Sequence, residues 1–497
     1  MNKYILAIDQ GTTGSRCFIF NAQGKIISTA YQEFPQYFPK PGWVEHDAEE
    51  IWSSVVAVIK KAVGATRRAD PTFTLQQIAA IGITNQRETT VLWDRQTHQP
   101  LCRAIVWQDR RTAETCAKLK KKETFIRRLT GLVMDPYFSA TKISWMLKNV
   151  PGIRSKAAKD RVAFGTIDSW LIFKLTGGQS HVTDMTNASR TLLFDIRRKK
   201  WSVKLLKLFG IPTGILPKVY PSGALFGHTA NIAGLPRGIP IMAVMGDQQA
   251  ALYGQGCFEP GTIKNTYGTG CFMVLNIGHH MRLSTKGLLT TLACDNRGNP
   301  VYALEGSIFI AGAVIQWLRD QLAVIPDSSS TERMISELKD NGGVYFVPAF
   351  VGLGAPYWNA NARGIITGLT RGANFKHIIR AALESMAYQT KDVFDLMQKE
   401  SGLEIKALAV DGGACRNNFF MQFQADMLSI PVIRPRRVDS TVAGVAYLAG
   451  ISAGLWNQKD FSKMRKIEKI FKPSMPKAVT HRLYQGWQKA VRQAQVQ

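Results

Sequence analysis

The chain is 497 residues long, which is enough for two domains that each bury a full core. Its apolar fraction of 45% and charged fraction of 20% are ordinary for a globular protein, and they exclude a disordered chain, a collagen and a coiled coil. The 63 Lys and Arg residues outnumber the 36 Asp and Glu residues, and the net charge of +27 suggests binding to nucleic acid or to a membrane surface.

The first half alternates between short apolar strands and amphipathic helices. Residues 3–9 predict a strand that ends in an acidic residue, a turn rich in Gly and Thr follows at 10–15, and residues 16–20 predict a second strand. Residues 48–63 have helical periodicity, with acidic residues at the start and lysines near the end. This alternation indicates α/β domains with mixed sheets.

The second half opens with a similar strand–turn–strand unit around Thr269, which indicates a remote duplication of the unit after Asp9. A later strand runs into the glycines that follow Asp411, and residues 418–428 predict an amphipathic helix. Residues 442–456 are uncharged and contain three glycines, but they are too few to span a membrane. We therefore expect a buried, closely packed helix there, and a ligand-binding cleft between the two halves.

The cysteines and the N-terminus indicate a cytoplasmic protein. The seven cysteines form no Cys-x-x-Cys pair and their number is odd, which argues against a zinc ribbon or a disulfide scaffold. Only five apolar residues separate Lys3 from Asp9, too few for the core of a signal peptide. We expect reduced thiols and no transmembrane segment.

Three Gly-rich turns are candidate phosphate-binding sites, at residues 10–15, 267–270 and 411–414. The first exposes backbone N–H groups and threonine hydroxyls, and Arg16 adds a cation. Asp9, at the end of the preceding strand, could hold Mg²⁺ through water. No Walker A sequence is present, and each turn alone is explained equally well as a tight connection. Three such turns in one chain favour nucleotide binding.

A colinear series of motifs covers nearly the whole chain: DQGTTGSR, GWVEHD, GITNQRETTVLWD, MDPYFSATKISWML, GTIDSWL, GDQQAALYGQG, NTYGTGCFMVLN, FVGLGAPYW, GIITGLTRGANFKHIIRAALES and VDGGACRNNFFMQFQADML. These segments resemble the glycerol kinases of the FGGY family of carbohydrate kinases. The resemblance implies two actin/hexokinase-like (ribonuclease H-like) ATPase domains, at 1–252 and 253–497. It also implies closure around ATP, Mg²⁺ and glycerol, with sn-glycerol 3-phosphate and ADP as products.

The resemblance further implies a role for each candidate site residue. Asp247 is the expected general base and, with Asp9 acting through water, an expected Mg²⁺ ligand; Arg16 is expected to support catalysis. The expected glycerol contacts are Arg87, Glu88, Trp107, Tyr137, Asp247, Gln248 and Phe272. The expected nucleotide contacts are Thr12, Thr13, Gly14, Arg16, Thr269, Gly312, Gln316, Gly413 and Asn417.

Each of these roles has a plainer structural alternative. Asp247 could cap the helix that begins at Gln248, because Asp is a favoured capping residue. Arg87 and Glu88 could form a surface ion pair, and Trp107 and Phe272 could be ordinary core. In favour of the site, buried glycerol hydroxyls need fixed partners, and the Arg87 fork and Glu88 carboxylate provide donors and acceptors while balancing charge. Residues 413 and 417, one helical turn apart, are expected to share one face at the start of a helix.

The chain departs from the family pattern in three places. Gly14 stands where the family commonly has a serine, so we expect a modest change in ATP affinity and no loss of turnover. Residues 233–240 lack the arrangement that binds fructose 1,6-bisphosphate in some bacterial relatives, and residues 472–482 do not resemble the segment that docks a sugar-transport regulator. We therefore expect neither form of regulation.

Other functions remain open at this stage. One alternative is a kinase for another small polyol or a pentulose, and another is a non-catalytic ATP-binding module. The basic residues lie in short runs at 60–61, 67–68, 120–122, 127–128, 197–200 and 434–437, without a nucleic-acid-binding motif, so we expect solvated surface. No specific nucleic-acid partner is expected, although such a charge would allow weak association with nucleic acid or acidic membranes. The resemblance implies a homodimer or homotetramer.

Overall fold

The computed structural model describes residues 3–359, 361–436 and 439–496, which form 23 strands and 16 α-helices. The strands are β1 (Tyr4–Gln10), β2 (Gly14–Asn21), β3 (Ile26–Glu33), β4 (Glu45–His46), β5 (Ile78–Asn85), β6 (Val91–Asp94), β7 (Ala104–Ile105), β8 (Val162–Gly165), β9 (Val182–Asp184), β10 (Phe194–Asp195), β11 (Lys200–Trp201), β12 (Lys218–Tyr220), β13 (Gly227–His228), β14 (Pro240–Gly246), β15 (Ile263–Tyr267), β16 (Cys271–Gly278), β17 (Leu289–Cys294), β18 (Pro300–Ile308), β19 (Tyr345–Val347), β20 (Ile365–Thr367), β21 (Leu408–Asp411), β22 (Val432–Pro435) and β23 (Ile467–Phe471). The helices are α1 (Ala48–Ala69), α2 (Ala113–Leu119), α3 (Glu123–Thr130), α4 (Ser139–Asn149), α5 (Ile153–Ala158), α6 (Ile167–Leu175), α7 (Met185–Ala188), α8 (Val203–Phe209), α9 (Asp247–Gly254), α10 (Gly312–Asp320), α11 (Thr331–Ile335), α12 (Phe375–Ser401), α13 (Asn418–Leu428), α14 (Ser440–Ser452), α15 (Gln458–Met464) and α16 (Lys477–Gln495).

The first half is built on a six-stranded mixed sheet with the strand order β13-β14-β5-β1-β2-β3. Strand β1 runs antiparallel to β2, which places Asp9 opposite Arg16, and parallel to β5. Strand β14 is also parallel to β5, with Gly246 opposite Asn85. The carboxyl ends of β1, β5 and β14 therefore meet at one edge, where the residues that follow each strand converge.

The second half repeats this plan in a seven-stranded mixed sheet with the order β17-β18-β16-β15-β21-β22-β23. Strand β15 is antiparallel to β16 and parallel to β21, with Thr266 opposite Asp411. The predicted α/β class, the mixed sheets and the paired strand–turn–strand units are all confirmed. The turns after β1, β15 and β21 are the three Gly-rich turns of the sequence.

Helices α9 and α14 cross between the two sheets. The predicted buried helix forms over Ser440–Ser452 and ends before residue 456. A Cβ atom at Gly444 would collide with the carbonyl oxygen of Ala250 in α9, so glycine permits the close approach of the two helices. Helix α14 packs with Ile5 and Phe18 of the first sheet, whereas α9 contributes to a core with strands β16 to β18 of the second. One helix from each half thus packs against the sheet of the other half.

The prediction of exposed basic runs is confirmed at 60–61, 67–68 and 120–122 and wrong at Arg434. The Arg434 side chain is 5% exposed, donates to the carbonyl oxygen of Cys415 at 2.8 Å and pairs with Glu468 at 3.0 Å. Strand β22 carries this arginine inward, where burial requires such partners. Arg437, the last residue of that run, lies outside the described residues.

All seven cysteines are free thiols, as expected. In the described part of the chain, no helix combines the length and the apolar character that a membrane span requires.

Candidate active site

Arg87 lies two residues after the end of β5, at the edge where the strands of the first sheet end. Its side chain is only 2% exposed and forms a bidentate ion pair with Glu305 of β18, at 2.5 Å from Nη1 and 3.1 Å from Nη2. Its Nε atom lies 3.2 Å from Oδ1 of Asp247. The alternative of a surface ion pair is therefore wrong, because the guanidinium is buried between the two sheets.

Glu88 is held by Arg190, whose Nε atom lies 2.6 Å from the Glu88 carboxylate. The Arg87–Glu88 contact itself is longer, at 3.9 Å. Arg87 and Glu88 thus offset each other's charge as expected, although Glu305 and Arg190 are their nearer partners. Arg190 also reaches Glu305 at 3.0 Å. Burial alone would raise the pKa of Glu305, but Arg190 and Arg87 together lower it to about 2.

Asp247 follows β14 directly and is the first residue of α9, for which Gly246 is the N-cap. The helix-cap alternative is thus not the main account of Asp247, although its Oδ1 atom accepts from the backbone N–H of Gln248 at 2.7 Å. The Asp247 side chain is 33% exposed, in contrast to the buried Arg87 beside it. A carboxylate that is oriented by a buried cation and open to solvent suits proton transfer.

The aromatic residues expected around glycerol lie at the surface of the site. The indole N–H of Trp107 donates to the hydroxyl of Thr12 at 2.9 Å, and its ring meets that of Tyr137 edge to face at 5.7 Å. Trp107, Tyr137 and Phe272 are all partly exposed, so the alternative of ordinary core does not describe them. Trp107 therefore connects the Gly-rich turn at residues 10–15, the first phosphate turn, with the expected glycerol side of the site.

The first phosphate turn is closed by a hydrogen bond from the backbone N–H of Gly11 to the carbonyl oxygen of Gly14, at 2.9 Å. Thr13 and Arg16 are exposed on it, and Arg16 lies 3.4 Å from Asp439, which immediately precedes α14. Burial raises the pKa of Asp9 to about 6; Arg16 opposes this shift, while Asp247 and Asp439 add to it.

The expected nucleotide contacts of the second half gather at the ends of β15 and β21. The backbone N–H of Gly312 donates to the carbonyl oxygen of Gly268 at 3.0 Å, so Thr269 lies beside the start of α10, and Gln316 is exposed one turn further on. Gly412 has a φ of 90° and packs against the backbone of Tyr267, which brings the other two Gly-rich turns together.

The expectation that residues 413 and 417 share one face of a helix start is wrong. Gly413 begins a 3₁₀ turn that ends at Arg416, whereas Asn417 is the N-cap of α13 and accepts from the backbone N–H of Phe420 at 2.8 Å. Both residues still lie on the segment that follows β21. A 3₁₀ turn separates them because the Asn417 side chain provides the cap that starts the next helix.

Four buried charged residues of the site were not anticipated from the sequence: Lys142, Arg190, Lys264 and Glu305. All four side chains are fully buried, and each contacts the side chain or the backbone of an expected site residue. No sequence spacing predicts these contacts. The partners of Arg190 and Glu305 are more than a hundred residues away, and those of Lys142 and Lys264 lie on the other side of a turn. The one available signal was a charged residue inside a largely apolar strand, as in Glu305.

The carboxylates of Asp9 and Asp247 are the donors available to a divalent cation beside the first phosphate turn. Throughout the described ranges, no three His, Cys, Asp or Glu side chains cluster in a way that could hold a metal ion. A cation here would therefore need water or phosphate oxygens as further ligands, which is how Mg²⁺ usually binds. The donor set fits Mg²⁺ bound together with a nucleotide.

Two similar mixed sheets, each followed by Gly-rich turns, have the actin/hexokinase-like fold of two-domain carbohydrate kinases. Residues 4–254 match the N-terminal domain of the FGGY family of carbohydrate kinases, and residues 263–453 match its C-terminal domain. The chain therefore belongs to the FGGY family of carbohydrate kinases.

Individual relatives narrow the similarity further. The chain is 54% identical over 495 residues to the glycerol kinase of Carboxydothermus hydrogenoformans, which covers 99% of this chain and 98% of that protein. It is 53% identical over 493 residues to glycerol kinase 2 of Thermotoga maritima, covering 98% of each. The structure superposes on that of Plasmodium falciparum glycerol kinase with ADP at a TM-score of 0.94 and 36% identity, covering 100% of this chain and 99% of that one.

Proposed function

We propose that this protein transfers the terminal phosphoryl group of ATP to glycerol, forming sn-glycerol 3-phosphate and ADP. The observation that carries the proposal is the Asp247 carboxylate, one-third exposed and held by the buried Arg87 at the meeting point of the two sheets. Relatives named glycerol kinase, at 53–54% identity over nearly the whole chain, support glycerol over another polyol or a pentulose.

In the proposed reaction, Asp247 accepts the proton of the attacking glycerol hydroxyl. Both contacts described for its carboxylate, to Arg87 and to the Gln248 backbone, use Oδ1, so Oδ2 is the oxygen best placed to take the proton. The hydroxyl oxygen then forms a bond to the γ-phosphorus of ATP while the bond to the β–γ bridging oxygen breaks. Glycerol lies against Trp107 and Phe272. Its remaining hydroxyls bond the polar side chains Arg87, Glu88, Tyr137 and Gln248.

The nucleotide lies along the turns of both halves. Thr12, Thr13, Gly14, Arg16 and Thr269 surround the phosphates, and Gly312, Gln316, Gly413 and Asn417 contact the adenosine side. Arg16 and the backbone N–H groups stabilise charge on the transferring group. Mg²⁺, when held by Asp9 through water and by Asp247, would offset the charge of the phosphate oxygens.

The remaining features of the proposal concern the whole protein. We assign residues 1–252 to the domain that carries the glycerol site and the first phosphate turn, and residues 253–497 to the adenine-nucleotide domain. The seven free thiols support a cytoplasmic location, and the assembly is proposed to be a homodimer or homotetramer.

The decisive measurement is ADP release with ATP, Mg²⁺ and glycerol, compared with other polyols and pentuloses. Asp247→Asn keeps the volume and the Arg87 contact but removes the base, so its kcat should fall by about 10²–10⁴-fold. Asp320→Asn serves as the matched control, because Asp320 is an exposed carboxylate paired with an arginine, Arg319, and should leave kcat unchanged.

Two results would contradict this proposal. Normal turnover in a folded Asp247→Asn variant would remove Asp247 from the role of base. Faster turnover of a pentulose or another polyol than of glycerol would show that glycerol is not the preferred substrate.

A further inference from the structure

Lys264 is a buried lysine at the junction of the two halves. It is the second residue of β15, and its side chain is 0% exposed. Its Nζ atom lies 2.5 Å from Oε1 of Gln248, 2.8 Å from the hydroxyl of Thr266 and 3.1 Å from the carbonyl oxygen of Phe272. Two of these three partners, Gln248 and Phe272, belong to residues assigned above to the glycerol site.

A buried ammonium group is tolerated only where its donors are satisfied and its charge is balanced. Lys264 has three N–H donors, and the three contacts use all of them. Burial lowers the pKa of Lys264 to about 8, while Asp411, Asp247 and Glu305 favour the charged form and Arg87 opposes it. The side chain therefore keeps its proton at neutral pH and holds its three acceptors as a cation.

The contact with Gln248 fixes which end of that amide faces the site. Because Oε1 accepts from the Lys264 ammonium, the Nε2 group is the end that remains to face a ligand. Gln248 would then donate to a glycerol hydroxyl and not accept from one. The contact with the Phe272 carbonyl holds the backbone beneath an aromatic residue of the same site.

We propose that Lys264 is a positioning residue for the alcohol substrate, one that fixes the Gln248 amide as a hydrogen-bond donor and anchors the backbone of Phe272. This proposal rests on the function proposed above. Gln248 follows the first sheet whereas Lys264 and Phe272 belong to the second, so the lysine also ties the substrate site across the junction of the two halves.

The test is Lys264→Met, which keeps the length of the side chain and removes the donors. The KM for glycerol should rise by about tenfold, as for the loss of a fixed hydrogen bond to a small polar substrate. The values of kcat and of KM for ATP should change by less than about threefold, because phosphoryl transfer does not use the amide. Lys174→Met is the matched control: Lys174 is a largely buried lysine paired with Glu49 in α1, and its loss should leave the KM for glycerol unchanged.

A double-mutant cycle separates positioning from a direct role. If Lys264 acts through Gln248, the variant that combines Lys264→Met with Gln248→Ala should have the same KM for glycerol as Gln248→Ala alone, within about twofold. Fully additive effects would overturn the proposal. A fall in kcat with an unchanged KM for glycerol would also overturn it, because the lysine would then act on the transferring group.

Two further results keep the proposal open to failure. If Lys264→Met does not fold, Lys264→Gln retains an amide NH₂ donor group on a shorter side chain, and it should raise the KM for glycerol by a smaller factor. An unchanged KM would overturn the proposal. Absence of glycerol turnover by the wild-type enzyme would overturn the proposed function and this role together. Normal wild-type turnover with an unchanged KM in Lys264→Met would overturn the role of Lys264 alone.

Discussion

At the residue scale, the Tyr31 ring occupies the space that a side chain at Gly14, on the first phosphate turn, would need. A Cβ atom at position 14 would lie 2.5 Å from Cε2 and 2.8 Å from the hydroxyl oxygen of Tyr31, which stands on the neighbouring strand β3. The Arg16 guanidinium lies over the same ring, 5.7 Å from its centroid. Glycine at position 14 therefore leaves room for an aromatic ring that supports Arg16.

This arrangement sharpens the expectation for Gly14→Ser. The serine would push the Tyr31 ring aside, which is feasible because Tyr31 is 48% exposed, and Arg16 would lose its aromatic partner. We expect the KM for ATP to rise by about two- to fivefold with kcat retained, measured as ADP release at saturating glycerol. Tyr31→Ala should cause the same rise, and Tyr31→Phe should not. Complete inactivity of Gly14→Ser would contradict this account.

Sequence patterns located the residues that follow strands but missed those that point in from neighbouring strands. The sequence analysis placed Asp9, Asp247 and Thr269 correctly at strand ends. An apolar run that stops at a polar residue can be identified from the sequence alone. Arg190 and Glu305 were not found, because their partnership joins residues 115 positions apart in the chain. Such pairs depend on how the two sheets meet, which no local pattern encodes. The roles of the site residues remain predictions until the variants are measured.

At the element scale, the crossing of α9 and α14 depends on two glycines. A side chain on Gly444 would meet the carbonyl oxygen of Ala250, and one on Gly254 would meet that of Ser440. The sequence indicated a buried, small-residue helix at this place, and it could not name the partner helix nearly two hundred residues away. An uncharged, apolar helix is expected to be buried, but its sequence does not identify the elements that pack against it.

We expect Gly444→Ala to lower the free energy of unfolding by about 1–3 kcal/mol, because the added methyl group forces the two helices apart. The same substitution at Gly64, in the interior of α1, meets only the end of the Arg68 side chain at 3.8 Å. Gly64→Ala should therefore raise the free energy of unfolding by about 0.5–1 kcal/mol through helix propensity. Urea titrations of both variants measure the difference, and equal effects of the two substitutions would exclude close helix packing as the cause.

At the scale of the whole molecule, the net charge of +27 no longer serves as evidence for binding to nucleic acid or to a membrane surface. Most of the basic runs are exposed, whereas the buried charges of the site are nearly balanced between arginine or lysine and carboxylate groups. The composition correctly indicated two large, well-packed halves. It could not distinguish surface charge from the buried cations, such as Arg434, that stabilise particular turns.

Stability of the whole molecule should depend on pH through His46. This histidine is 0% exposed, its Nε2 lies 2.6 Å from the side-chain oxygen of Gln36, and burial lowers its pKa to about 4. The unfolded chain binds a proton near the ordinary pKa of about 6.5, so this stability is present above that value and is lost as pH falls toward 4.

The His46 contribution should lower the free energy of unfolding by about 2 kcal/mol between pH 7 and pH 5. His46→Gln keeps a donor for Gln36 and cannot titrate, so its pH dependence, measured by urea titration at both values, should be shallower by that amount. His280→Gln is the control, because His280 is exposed. Identical slopes for the wild type and His46→Gln would contradict the prediction.

The exchange of helices between the two halves has a consequence for biosynthesis. The apolar face of the first sheet that includes Ile5 and Phe18 is covered by α14, whose residues 440–452 are synthesised long after Gly246, the last residue of that sheet. At about 5–20 residues per second, synthesis of the roughly 200 intervening residues takes about 10–40 s. During that interval the part of this face that α14 covers in the folded protein is exposed in the nascent first half, and exposed apolar surface of this kind is prone to aggregation unless a chaperone shields it. The two halves are thus separate in architecture but not in the order in which their cores can be completed.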